Sequence, residues 1–193
     1  MKNMHRYVVA FAACALAALA QAQTAGSETQ RNVNQQERIE QGLQSGQLNT
    51  KEAAKLESGE AKINRMESNA MKDGTLTQSE KARIRKAQNA QSSAIYGQKH
   101  DAQVGNPNSA SSQRMQADVQ RNANQQARIN QGVKSGSLTK AEAGQLEKGQ
   151  ARVAHKEAVA GANGHVGAGE QAHVQHAENV QSRKVYNKKH NAN

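Results

Sequence analysis

Four histidines lie close together in the last third of the chain, at His155, His165, His173 and His176. His173 and His176 are three residues apart, so they share a face if this segment is helical. Two imidazoles at that spacing can chelate a transition metal such as Zn²⁺, Cu²⁺ or Ni²⁺, with His165 or Glu170 as a further ligand. Exposed polar side chains that bind no metal are the alternative interpretation.

A second pattern recurs four times and consists of a glycine, an aliphatic residue two positions later and a glutamate six positions after the glycine. Its four copies are Gly46/Leu48/Glu52, Gly74/Leu76/Glu80, Gly136/Leu138/Glu142 and Gly164/Val166/Glu170. The copy at 73–80 reads Asp-Gly-Thr-Leu-Thr-Gln-Ser-Glu, which resembles the second half of an EF-hand calcium loop. In that family the glycine makes a sharp turn and the last glutamate binds Ca²⁺ through both oxygens.

The resemblance implies a Ca²⁺ site whose candidate ligands are Asn69, Asp73, Thr75, Thr77 and Glu80. Helix capping is the alternative interpretation of the same residues. In it, the glycine ends one helix in the left-handed conformation, and Thr-x-x-Glu forms a capping box that opens the next helix. The pairs that fit this alternative are Thr77/Glu80, Thr139/Glu142 and, as a variant, Asn49/Glu52.

The elements that would position these residues are helices. Apolar residues recur at helical spacing, as at Ile39 and Leu43 or at Leu56 and Ile63, and no segment alternates with the period of a strand. This spacing predicts helices near residues 30–44, 50–71 and 78–100 and again ninety residues later. Because glutamates recur beside lysines, as at Glu52 and Lys55, we expect them on exposed helix faces.

An internal repeat organises the chain. Residues 30–102 align with 120–192 at a constant offset of ninety and without a gap, and roughly thirty of the aligned positions are identical. The stretch between them contains Gly105 and Pro107, the only proline, together with several Ser and Asn residues, which is typical of a linker. We therefore predict an all-α fold made by tandem duplication of a three-helix unit, or paired helix-loop-helix, joined by a flexible linker. The predicted segments are a signal peptide at 1–22, a first unit at 23–102, a linker at 103–113 and a second unit at 114–193.

The N-terminus has the three parts of a secretory signal peptide. Lys2 and Arg6 precede an apolar run of about fourteen residues, and Ala20-Gln21-Ala22 is a small-x-small cleavage site. The run is too short for the roughly twenty residues that span a bilayer. These features predict export to the periplasm or beyond the cell, without a membrane-spanning segment after cleavage. The single cysteine, Cys14, lies inside the apolar run, so we expect no disulfide in the exported chain.

Composition limits the classes of function. The 193 residues carry 26 Lys and Arg against 16 Asp and Glu, a formal net charge of +10, and only 2% are aromatic. The positive charge favours an anionic component of the envelope as a partner, whereas the lack of aromatic rings argues against specific recognition of nucleic acids. We find no catalytic constellation, and the chain is similar to small Ala- and Gln-rich exported proteobacterial proteins with no assigned activity.

The sequence thus predicts a non-catalytic, exported helical protein of the bacterial envelope that acts as a binding or structural module. One alternative is a module that binds metal, either Ca²⁺ at the loop or a transition metal at the histidines. The other alternative is an electrostatic binder of polyanions in the envelope.

Overall fold

The structure is a computed structural model that describes residues 26–191, and within this range it consists of six helices joined by turns. The helices are α1 (26–45 of the described residues), α2 (Thr50–Ala70), α3 (Gln78–Lys99), α4 (Ala110–Ser135), α5 (Lys140–Ala160) and α6 (Ala168–His190). No strand occurs in this range. The expectation of an all-helical chain is confirmed, and the predicted signal peptide lies outside the described residues.

Three of the helices begin in the capping boxes that the sequence predicted. The side chain of Thr77 accepts from the backbone N–H of Glu80, and Thr139 does the same for Glu142. Asn49 and Glu52 form the predicted variant at the start of α2. The glycine of each junction has a positive φ, as at Gly46 (75°) and its three counterparts. These bonds fix where each helix begins, because they satisfy backbone donors that the first turn leaves unpaired.

Helices α2 and α5 pack side by side in antiparallel directions at the centre of the bundle. Gly161, just after α5, lies against Thr50 and Ala54 at the start of α2. At the opposite end, Gly144 near the start of α5 lies against Met71 just after α2. Glycine at these two positions allows the two backbones to approach closely, since a Cβ on Gly161 would lie 2.8 Å from the Ala54 Cβ.

The other four helices surround this central pair. Helix α1 runs beside α4, where the Thr29 hydroxyl donates to Asn130 Oδ1 over 2.9 Å. Helix α3 packs against α2, while α6 packs against α4 and α5.

Two apolar clusters occupy the two ends of the bundle, and each contains residues from both halves of the chain. One joins Ile39, Leu43 and Ile95 to Met115 and Val174, among others. The second cluster joins Met71, Leu76 and Ile84 to Ile129, Leu146 and Val185, among others. The sequence predicted two three-helix units joined by a flexible linker, whereas each cluster in the structure contains residues from both predicted units. The halves share both cores because α2 and α5 pack against each other.

The predicted linker is correspondingly short and packed. Helix α4 begins at Ala110, so the last residues of the segment 103–113 are helical. The backbone N–H of Gly105 donates to the Gly46 carbonyl over 2.8 Å, which ties the connection to the turn between α1 and α2.

No helix among residues 26–191 is long and apolar enough to cross a membrane.

Glycine 59 on α2 provides a test of this packing. A Cβ there would clash with the Gln91 side chain, whose Nε2 donates to the Leu56 carbonyl over 2.9 Å. We expect Gly59→Ala to lower the free energy of unfolding by about 1 kcal/mol, because disturbing a buried hydrogen bond costs about 1–3 kcal/mol and outweighs the gain of up to about 1 kcal/mol in helix propensity. Urea unfolding followed by circular dichroism measures the difference.

Glycine 97 on α3 is the matched control, since no atom lies within 4 Å of the position of its Cβ. Gly97→Ala should stabilise the protein by about 0.5–1 kcal/mol through helix propensity alone. Equal stabilisation by both substitutions would show that α3 does not pack against Gly59 as described.

Candidate functional site

A belt of buried polar side chains separates the two apolar clusters. Along α2 the first cluster ends at Leu56 and the second begins at Ala70, and along α5 the clusters are separated in the same way between Leu146 and Ala160. We call the buried polar residues in these intervals, with those that face them from the other helices, the polar belt. Its carboxyls are Glu57, Glu60, Glu67, Glu147, Glu157 and Glu178, all with 0% exposure. Its amides are Asn32, Gln35, Gln36, Asn64, Gln88, Gln91, Asn122, Gln125, Gln126, Gln150 and Gln181.

A pair of carboxyls, Glu57 on α2 and Glu157 on α5, joins the two halves of the chain inside the belt. An amide of α4 bridges the two side chains, since Asn122 Nδ2 donates to Glu157 Oε2 over 2.9 Å and to Glu57 Oε2 over 3.5 Å. From α1, Gln36 Nε2 donates to Glu57 Oε2 over 2.9 Å. Glu57 and Glu157 are therefore held together by amides of α1 and α4.

The remaining belt carboxyls on α2 and α5 differ in the number of donors that they have. Glu67 accepts from Asn32 Nδ2 at 2.6 Å and from Gln88 Nε2 at 3.1 Å, and Glu147 accepts from Gln126 Nε2 at 2.7 Å. Neither oxygen of Glu60 has a hydrogen bond of good geometry.

Burial is the main reason why these carboxyls hold their protons. Loss of water raises the pKa of Glu57 to about 7 and that of Glu147 to about 8. It also raises the pKa of Glu60, Glu67 and Glu157 well above the ordinary value, and neighbouring glutamates raise it further.

Glu178 on α6 is the belt carboxyl with a basic partner. Its Oε2 lies 2.8 Å from Arg121 Nε. Burial first and then the neighbouring Asp118 raise the pKa of Glu178 to about 8, while Arg121 acts in the opposite direction. The same kind of burial raises the pKa of Asp118 to about 7.

The belt is short of hydrogen-bond donors. Among the described residues, every buried side-chain polar atom that lacks a hydrogen bond is an oxygen. The side-chain nitrogens of the belt glutamines all donate, whereas carboxyl and amide oxygens are left over. A proton on a carboxyl converts an acceptor into a donor, so protonation is the change that best reconciles this belt with burial.

The outward side of α2 and α5 has the opposite chemistry. All acidic residues of these two helices are buried, and all their basic residues lie at the surface or partly so. The exposed bases are Lys51, Lys55, Lys62, Arg65, Lys148, Arg152, His155 and Lys156. We call this surface, together with Lys72 just beyond α2, the cationic face.

Two open grooves run between α2 and α5 on the cationic face. The larger has a volume of about 650 Å³, and its lining includes Lys51, Lys55 and His155. The smaller, at the opposite end, has a volume of about 280 Å³ and includes Lys72 and Lys148.

The predicted calcium ligands make local hydrogen bonds in the structure. Asp73 Oδ1 accepts from both the backbone N–H and the hydroxyl of Thr75, each over 2.9 Å. Glu80 Oε2 accepts from the backbone N–H of Thr77 over 2.9 Å and from its hydroxyl over 2.6 Å. These bonds lower the pKa of Asp73 and of Glu80. The structure brings Asn69 and Glu80 to the same surface hollow, which has a volume of about 230 Å³.

The predicted histidine site is spread over two elements. His165 lies exposed in the loop before α6, and His173 and His176 lie exposed on α6 itself. A groove of about 390 Å³ brings His173 together with His155 and Glu170 instead. Between residues 26 and 191 no group of three or more His, Cys, Asp or Glu side chains could hold a metal ion. Both metal sites stay predictions.

Sequence reasoning missed the polar belt. It placed the glutamates on exposed helix faces because lysines stand near them, and for Glu52, Glu57 and Glu147, which are buried, that interpretation is wrong. A signal was present, since Gln36 and Glu57 recur at Gln126 and Glu147. Polar residues retained in both copies at core spacing indicate a shared interior and not a solvated surface.

No family model, curated protein or solved structure matches this chain.

The polar belt predicts an inverted pH dependence of stability. A carboxyl whose pKa is raised by folding stabilises the folded chain fully below its unfolded pKa of 4.5, and this contribution is lost as the pH rises through the folded pKa. The pH interval over which this contribution is lost runs from 4.5 to about 7 for Glu57 and from 4.5 to about 8 for Glu147, the limits being the unfolded and folded pKa values. We expect the free energy of unfolding to fall between pH 5 and pH 8, by roughly 1.4 kcal/mol per pH unit for each carboxyl that stays protonated only when folded. Urea unfolding at pH 5, 6.5 and 8 measures this change in the free energy of unfolding.

Glu57→Gln tests the origin of this dependence. Glutamine resembles the protonated glutamate in shape and brings a donor, so the variant should unfold less readily than the parent at pH 8 and show a weaker pH dependence. Glu80→Gln alters an exposed carboxyl of lowered pKa and should leave the change between pH 5 and pH 8 as it is. A parent protein that becomes more stable from pH 5 to pH 8 would contradict the prediction.

Proposed function

We propose that this protein is a non-catalytic, exported helical module of the bacterial envelope that binds a polyanionic component electrostatically. The observation that carries the proposal is the separation of charge between interior and surface. Ten of the sixteen acidic residues are buried, whereas Lys81 is the only buried base among the described residues.

This separation makes the surface more positive than the formal net charge of +10 indicates. The belt carboxyls with raised pKa carry little negative charge at neutral pH, and those that ionise do so inside the protein. The bases remain outside, with few acidic neighbours to offset them. A surface of this kind raises the local concentration of anions and speeds their association.

Nucleic acid is a less suitable polyanion for this surface. Helices α2 and α5 contain no Phe, Tyr or Trp on which a base could stack. Tyr96 and Tyr186 lie near the ends of α3 and α6, and each stacks on a histidine one turn later, with ring centroids 4.1 and 4.2 Å apart. The affinity for a polyanion therefore comes from charge and not from base stacking.

Tandem duplication of a three-helix unit is a further part of the proposal. It is supported by the bounds of α5, which begins and ends ninety residues after α2. Equivalent contacts recur at the same offset, since Gln91 donates to the Leu56 carbonyl and Gln181 to the Leu146 carbonyl, each over 2.9 Å. Export rests on the signal-like residues 1–22 alone.

Binding measured at several salt concentrations tests the proposed function. The exported chain, residues 23–193, should bind dextran sulfate, polyphosphate or vesicles rich in phosphatidylglycerol at low ionic strength. Affinity should fall steeply with added salt, because screening and counterion release weaken contacts between exposed charges. Fluorescence anisotropy or calorimetry measures it. Failure to bind any of the three polyanions at low salt would refute the function.

A further inference from the structure

We infer that the cationic face formed by α2 and α5 is the binding surface, and that its ligand is a linear acidic polysaccharide lying along the two helices. The inference rests on the proposed function and identifies the site and the chemical class of the ligand. Three features of the face support it, namely its charge, its shape and the polar groups along its grooves.

The charge of the face follows from the burial of acidic residues in the polar belt. On α2 the acidic residues Glu52, Glu57, Glu60 and Glu67 are all buried, and on α5 Glu142, Glu147 and Glu157 are. Glu52 is the one acidic residue in the lining of the larger groove, where it is only 5% exposed. Each helix therefore exposes only basic charged side chains along its whole length. Helices α3 and α6 differ, because each begins with a glutamate, Glu80 or Glu170, that is not buried.

The basic residues form a stripe and not a single cluster. Lys51, Lys55, Lys62 and Arg65 follow one another at intervals of four, seven and three residues, so they lie on one side of α2. At a rise of 1.5 Å per residue, the stripe from Lys51 to Lys72 is roughly 30 Å long. A ligand that contacts the whole stripe must carry anionic groups at intervals along an extended chain.

The grooves suit a chain better than a flat membrane surface. Small side chains form the floor, with Ala54 and Ala158 in the larger groove and Ser68 and Gly144 in the smaller one. The basic side chains stand at the sides of this floor. An extended chain can enter such a depression, whereas a bilayer would contact only its rims. Val159 is the one exposed large hydrophobic residue on the two helices, which is too little apolar surface for membrane insertion.

The polar lining of the grooves favours a sugar chain over polyphosphate. Asn49, Ser58 and Gln98 line the larger groove, and Asn69 and Gln145 line the smaller one. Amide and hydroxyl groups can donate to and accept from sugar hydroxyls, for which polyphosphate has no counterpart. A neutral sugar chain would bind weakly, because α2 and α5 offer no Phe, Tyr or Trp ring on which a sugar could stack.

The two grooves are equivalent in sequence. Residues that line the larger groove recur ninety positions later in the lining of the smaller one. The equivalent pairs are Lys51 and Ala141, Lys55 and Gln145, and Ser58 and Lys148. One long chain can therefore occupy both grooves, whereas a short oligosaccharide can occupy one. Once a long chain is bound in one groove, its binding in the other groove is intramolecular. The affinity should therefore rise steeply with the length of the ligand until the ligand spans the cationic face.

Comparison of two charge-matched variants of the exported chain tests the site. One replaces Lys51, Lys55, Lys62 and Arg65 by Gln on the cationic face. The control replaces Arg83, Lys86, Arg183 and Lys184 by Gln, all exposed on α3 and α6. Both lose the same charge, and helical circular dichroism with urea unfolding verifies that both fold. Calorimetry with dextran sulfate should show a loss of affinity of about tenfold or more for the face variant and of less than about threefold for the control, since each exposed ion pair contributes only modestly. Equal losses would overturn the inference and leave the proposed function intact.

The ligand class is tested on the parent protein. Dextran sulfate should bind, and uncharged dextran of the same length should not. Ser58→Leu, which fills the larger groove and keeps every charge, should weaken binding of dextran sulfate by several-fold and leave binding of phosphatidylglycerol vesicles unchanged. Tighter binding of polyphosphate, single-stranded DNA or vesicles than of dextran sulfate at equal charge concentration would overturn the assignment to a polysaccharide. Absence of binding to all of them would overturn the proposed function as well.

Discussion

The buried pair of carboxyls formed by Glu57 and Glu157, bridged by the Asn122 amide, is the contact on which the rest of the structure depends. It joins α2 to α5 at a point with no exposure to water, between two apolar clusters that close the bundle at either end. Two ionised carboxylates at this position would repel each other in a medium that screens poorly. Burial raises the pKa of both carboxyls, and protonation removes that repulsion where the two halves of the chain meet. The clusters keep water away from the belt, and the belt fixes the register in which the clusters meet.

The burial of acidic residues also accounts for the separation of acids inside the protein from bases at its surface. A chain with few large aliphatic residues cannot fill a six-helix interior with apolar side chains alone, and here Glu and Gln occupy the remaining space. Each glutamate placed inside removes an acid from the surface, while lysines near it in sequence remain outside. An acid–base pair that looks like a helix-surface pair in the sequence is divided by the fold at Glu52, which is buried, and Lys55, which is exposed. The interior of this protein thus determines the chemistry of its exterior.

The sequence could predict the helices and their beginnings, because both depend on local patterns. Apolar spacing located α2 and α5 to within a residue, and the capping residues Thr77, Thr139 and Asn49 identified the starts of three helices. The shared cores could not be predicted this way, because the contact of α2 with α5 joins residues about a hundred positions apart. Nor could the polar belt, since a buried glutamate and an exposed one have the same helical spacing. The cationic face was missed for the same reason, although the overall positive charge had indicated an anionic partner.

The antiparallel packing of α2 against α5 has a consequence for the history of the chain. When a two-fold axis relates two copies of one structural unit, equivalent helices near the axis can pack in antiparallel directions. Each contact between the two copies then occurs twice. The contact of Glu57 with Glu157 occurs a second time as that of Glu147 with Glu67. The contact of Ala54 with Gly161 likewise occurs a second time as that of Gly144 with Met71. On the proposed duplication, the ancestral three-helix unit was a homodimer whose subunits met through this surface. On the same proposal the two halves then diverged, which accounts for the additional histidines and the smaller number of acidic residues in the second half.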